Sequence, residues 1–158
     1  MKTPYLYLII GLVAGVLLTL FFAYKAAPGM MIKEAQSKYN FEQSVEKFEQ
    51  TALAMGWSIP VVHDLQATME KFGYDVRQVK VFELCHPEHA IQILSQDQER
   101  VVSSMMPCRV SIYEKSDGNT YVSWMNTSLM GNMMGGIVAD VMGDASRESK
   151  AMIDAIIR

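Results

Sequence analysis

The chain has 158 residues, of which 50% are hydrophobic and 20% charged, with a formal net charge of −3. That balance excludes a wholly disordered polymer, and the length suits one domain plus an appendage. Setting aside Lys2 and Lys25, 12 basic residues face 17 acidic ones with no basic run, so a nucleic-acid partner is not expected.

Residues 1–4 read as a short tail. Residues 5–24, YLYLIIGLVAGVLLTLFFAY, carry no charge and are long enough, at ~1.5 Å per residue, to cross a ~30 Å hydrocarbon core. Tyr5, Tyr7 and Tyr24 lie near the ends, and Lys2 and Lys25 bracket the run, as interfacial anchors of a transmembrane helix do. A cleaved signal peptide is the competing reading. Against it, the apolar run exceeds the ~7–15 residues of a signal core, and Pro28 follows the nearest small-residue pair, Ala26 and Ala27. Lysines flank both ends, so charge hardly orients the span. Its likeness to an uncleaved export signal puts the domain on the periplasmic side of a bacterial inner membrane. Gly11 and Gly15 form a small-xxx-small pair through which two such helices would meet in a homodimer.

Residues 25–40 mix Pro28, Gly29 and polar residues without a clean period and read as a linker, with part of it open to being helical, so the folded domain is expected over 41–158. Phe41, Val45, Phe48, Ala52 and Met55 step by four and three, which predicts an amphipathic helix capped by Asn40 and stopped by Gly56. WSIPVVHD follows as a strand that Pro60 confines to a sheet edge, because proline cannot donate to a ladder. Asp64 is placed to cap a helix with Leu65, Met69 and Phe72 on one face and Gly73 at its end. DVRQVKVFELC reads as a strand, and Pro87 opens the next helix, with Ile91 and Leu94 expected to face the core.

CRVSIYEK and TYVSWMN make a hairpin around SDGN, with Asp117 and Gly118 supplying the positive φ angles of a tight turn. Residues 127–144 are rich in methionine and glycine and fit a loop, a short helix or a flap. Ser149, Met152, Ile153 and Ile156 repeat at helical spacing and predict a closing helix packed on the sheet. The fold class is therefore α+β, an antiparallel sheet with helices packed against it, preceded by one transmembrane helix.

The soft-ligand residues are few: two cysteines and three histidines. Cys85, His86, His89 and Cys108 would make a tetrahedral zinc or copper set if the end of one strand lay beside the start of the next, although the cysteines are too far apart for the usual structural zinc pattern. A transition metal is thus allowed but not favoured. Alternatively, Cys85 precedes the helix opened by Pro87, where the helix dipole favours a thiolate, and Cys108 would pair with it as a redox partner or disulfide. The plainest reading makes Cys108 a small core residue, His86 a helix cap and His63 a cap or surface group. Met130, Met133 and Met134 form the one methionine cluster without an evident packing role.

The strand ending in LCHPEHA, with Cys85, Pro87 and Ala90, and the hairpin opened by Pro107 and Cys108 resemble the Domain of Unknown Function 302 family over roughly Phe41 to Arg158. That family usually has Asn where His86 stands, so no role for His86 carries over. The resemblance implies a TATA-binding-protein-like arrangement of an antiparallel sheet with helices against it, and no agreed activity. No nucleophile–base–orienter set, phosphate loop or carboxylate pair stands out, which disfavours an enzyme. The expected function is a membrane-anchored binding or accessory module, with thiol or metal handling at Cys85 and Cys108 as the alternative.

Overall fold

The computed structural model describes residues 3–157, in two units that divide after Met31. The first is α1, Thr3–Met31, a 29-residue helix. From Pro4 to Met31 it is long and apolar enough to cross a membrane, with a mean hydropathy of 2.6, and none of it is buried in the protein. Helical geometry carries past Tyr24 and through Pro28, so the first part of residues 25–40 is helical. Thr19 returns its hydroxyl to the Gly15 carbonyl at 2.9 Å, which satisfies a polar group within the helix itself.

The second unit begins at once with β1, Ile32–Gln36. It continues with α2 (Phe41–Ala54), β2 (Ser58–Asp64), α3 (Leu65–Glu70), β3 (Val79–Cys85) and α4 (Pro87–Leu94). A 3-10 helix over Glu99–Met105 leads to β4 (Cys108–Glu114), β5 (Thr120–Met125), α5 (Thr127–Met134) and α6 (Gly136–Asp154). The five strands form one antiparallel sheet in the order β1-β5-β4-β3-β2. The fold is α+β, as the sequence predicts.

The linker expected over 25–40 is corrected by β1, which pairs with β5 from Ile32 opposite Met125 to Gln36 opposite Tyr121. Ser37 then lies buried, its hydroxyl bonded to the Ser44 hydroxyl at 2.7 Å and to the Ile156 carbonyl at 2.9 Å. IKEAQ is too short and too polar to announce a strand. Its partner β5 supplies the ladder that makes it one.

Local signals elsewhere hold. Asn40 caps α2 by accepting from the Gln43 amide at 2.9 Å, and Asp64 caps α3 by accepting from Ala67 at 2.9 Å. β2 is an edge strand whose register slips between Ser58 and Val61, around Pro60. In the hairpin only Gly118 has a positive φ, 75°, so Asp117 instead steadies the turn by accepting from the Asn119 amide.

Burial differs from expectation where a helix is short. Met55 falls beyond the end of α2 and is exposed, while Ser44 joins the buried face. In α3 no residue is buried, and the nearby Phe72 stands 70% exposed. In α4 the buried residues are Ala90 and Ile93, and Ile91 is 60% exposed, so the helix is turned about one residue from the predicted face. Pro87 sets that phase by starting the helix where β3 leaves it. Residues 127–144 resolve as α5 and the first half of α6, whose helices meet at Gly131. A Cβ there would lie 2.7 Å from the Met142 Cβ, so only glycine permits the approach.

The core has two parts. The larger joins Phe41, Phe48 and Ala52 of α2 to Phe82, Leu84, Val110, Ile112 and Val122 of the sheet and to Met152, Ile153 and Ile156. Phe48 meets Phe82 edge-on with ring centroids 5.2 Å apart, a favoured aromatic geometry. The smaller gathers Ile93, Val102, Val138, Val141 and Met142. Met130 packs against it, whereas Met133 is 82% exposed and Met134 also faces outward, so the methionine cluster is split.

Candidate functional site

Between the two parts of the core lies a half-open cavity of about 380 Å³, bounded by the end of β3, the start of β4, α4, the 3-10 helix and α6. That volume falls within the range of small-molecule sites. Its wall is almost wholly apolar, with Leu84, Ile93, Val102, Met105, Val141 and Met142 contributing. Cys85, His86, His89 and Cys108 all border it, so the predicted residues do converge on one place.

At one end the polar groups are tied to each other. His89 Nε2 lies 3.1 Å from Glu148 Oε1, and the Trp57 indole N–H donates to Glu148 Oε2 at 2.9 Å. The His86 ring lies 4.6 Å from that of His89, tilted against it, and 5.4 Å from that of Trp57, edge-on, by centroid. His86 occupies the cap position of α4, yet its side chain makes no capping bond. Its Nδ1 is buried with no hydrogen-bond partner among the described residues. Capping therefore does not explain His86. Neither Trp57 nor Glu148 was singled out by sequence reasoning. Trp57 stands just before an edge strand, and Glu148 sits beside Ser149 on a helix read only for its apolar repeat.

The cysteines are both free thiols. In the β3–β4 register Leu84 stands opposite Cys108, and in the β2–β3 register Ser58 stands opposite Cys85. Strand alternation therefore gives Cys108 the core face of Leu84, Val110 and Ile112, while Cys85, at the very end of β3, borders the same cavity. Burial pushes the Cys108 thiol up to about 11, and the nearby Cys85 adds to the rise. Cys108 is thus a protonated core thiol at neutral pH.

Among the described residues no group of three or more His, Cys, Asp or Glu side chains is arranged to hold a metal ion. The histidine rings stand against each other, and Glu148 already takes one His89 nitrogen.

Elsewhere His63 neither caps α3 nor stands alone. It lies 3.1 Å from Glu83, which also accepts from Arg109 at 2.9 Å, on the outer face of the sheet. Gly11 and Gly15 remain on α1, with nothing within 4 Å of a Cβ at either.

A single antiparallel sheet with helices enclosing an apolar cavity at one end defines a small α+β domain. The family described as "Domain of unknown function DUF302" matches residues 33–157, and the chain belongs to that family. The crystal structure of an uncharacterized conserved DUF302 protein from Bacillus stearothermophilus has a similar fold, with a TM-score of 0.71 at 17% identity over 80% of this chain and 98% of that one. The match to the family starts at residue 33, which agrees with β1 being part of the domain. No curated protein matches the chain.

Proposed function

We propose that this protein is a membrane-anchored binding module, held by α1 in a bacterial inner membrane with its domain on the periplasmic face, and that it takes an apolar ligand into the cavity between α4, α6 and the sheet. The observation that carries this reading is the cavity itself. Protein interiors are close-packed, so a half-open apolar space of about 380 Å³ is a feature that the surrounding side chains keep clear. Trp57, His89 and Glu148 at its end bond to one another and offer no nucleophile–base pair, which favours binding over catalysis.

A native mass spectrum of the full chain released from its own membrane tests the reading. An apolar molecule retained in stoichiometric amount is the expected result, and an empty protein under conditions that keep it folded would defeat it. Protease added to intact spheroplasts should digest the domain, and protection would reverse the orientation.

Thiol or metal handling at Cys85 and Cys108, with His86 and His89, is the second reading, supported by the presence of all four residues on one cavity wall. The same spectra of Cys85→Ser and Cys108→Ser decide it. A metal or covalent adduct lost with either substitution would favour this chemistry, whereas unchanged spectra would leave the apolar ligand.

A further inference from the structure

We infer that the occupant of the cavity is a single hydrocarbon chain of a membrane phospholipid, its headgroup remaining outside. This rests on the binding reading above and names the ligand class.

Water-soluble metabolites are recognised through a few placed polar groups, because each of their own polar atoms needs a partner once desolvated. The cavity supplies almost none. Glu148 is engaged by Trp57 and His89, and the His86 Nδ1 is shut away from solvent rather than presented to the space. What the wall does present is aliphatic side chains and the thioethers of Met105, Met106 and Met142, unbranched groups that repack around a flexible chain. The ligand that asks for this and nothing more is a hydrocarbon chain.

The source of such a chain follows from connectivity. A helix of 29 residues spans roughly 43 Å at ~1.5 Å per residue, close to the ~40–45 Å of a bilayer with its headgroups. The strand β1 starts at Ile32, immediately after α1 ends at Met31, so the chain tethers the domain directly to any bilayer that α1 spans. A lipid chain held at high local concentration is then within reach, whereas a free hydrocarbon in water is scarce. Leu94, which borders the cavity and is 39% exposed, marks the mouth.

Trp57 is buried at the cavity wall and is one of only two tryptophans, so the Trp124→Phe protein carries a single reporter at the site. The full-length Trp124→Phe protein is placed in vesicles of phosphatidylcholine and phosphatidylglycerol whose acyl chains are brominated, beside the same vesicles unbrominated. Bromine quenches indole only at contact range, so the expected result is loss of most of the Trp57 emission in the brominated vesicles. Filling the space with Ala145→Leu, or placing a charge at the mouth with Leu94→Arg, should restore it. The second substitution sits at an exposed position and keeps the test valid if the first disturbs folding.

Equal emission in the two kinds of vesicle would overturn the inference. So would quenching that persists in both variants, since that reports nearness to the membrane surface alone. A short brominated alkane added to unbrominated vesicles separates the two levels of the argument. Quenching by the alkane but not by brominated lipid would overturn the lipid-chain assignment and leave an apolar ligand site, and quenching by neither would defeat both.

Discussion

Glu148 of α6 accepts a hydrogen bond from the Trp57 indole across 91 positions of sequence, at 2.9 Å, and the same carboxylate meets His89 of α4. One side chain thus ties the helix that closes the fold to the start of β2 and to the helix that follows β3. Removing it leaves the part-buried indole N–H without a partner. Glu148→Ala should lower unfolding free energy by about 1–3 kcal/mol, with Glu148→Gln closer to the native protein because the amide oxygen can still accept. Denaturant titration followed by tryptophan fluorescence checks this, and equal midpoints for Glu148→Ala and the native protein would refute it.

Gly131 is where α5 rests on α6. An added Cβ meets the Met142 Cβ at 2.7 Å and the Ala139 Cα at 3.3 Å, atoms that cannot move aside without shifting a helix. Gly131→Ala is therefore expected to destabilise by about 1–3 kcal/mol, even though alanine is the better helix former. A melting temperature at or above that of the native protein would show that the two helices separate freely.

Cys108 should resist modification. With the thiol pushed up to about 11, its thiolate fraction at pH 8 is on the order of one in a thousand, roughly two orders of magnitude below that of an ordinary cysteine. Alkylation of the Cys85→Ser protein, which retains only Cys108, should be correspondingly slow until denaturant is added. Because the folded state holds this proton more tightly than the unfolded state, its contribution is complete below the ordinary value of 9.0 and is lost as pH rises toward 11. Native protein should thus lose about 2–3 kcal/mol of stability over that range, and Cys108→Ala should not show this component.

On the outer face of the sheet, the hydrogen bond from His63, and secondarily that from Arg109, holds the Glu83 carboxyl below its ordinary 4.5. A depressed carboxyl stabilises the fold above 4.5 and ceases to do so as pH falls through its folded value. Acid unfolding of Glu83→Gln, monitored by circular dichroism, should accordingly show a shallower loss below pH 4.5 than the native protein. Coincident acid limbs would mean that the cluster exchanges solvent as freely as isolated surface charges.

The candidate site was legible as a list of residues but not as a device. Cys85, His86, His89 and Cys108 were conspicuous because such side chains are rare in this chain, and they do border one cavity. What they do there depends on which face each strand position takes and on where α6 returns. The register of β3 against β4 sets Cys108 opposite Leu84 on the core face, and a carboxylate from the far end of the chain occupies His89. Neither fact has a local signature.

The sequence by itself determined the elements whose cause is local: the apolar run of α1, the caps at Asn40 and Asp64, the helical period behind α2 and the end of α6, and the hairpin about Gly118. Each depends on side chains within a turn or two of one another. Tertiary structure alone decided that IKEAQ is a strand, that α4 buries Ala90 and Ile93, and that a cavity stands between two halves of the core. Those outcomes depend on a partner strand or helix far away in the chain, as Met125 is from Ile32 and Glu148 from His89, and a pattern read within one segment contains no record of what will pack against it.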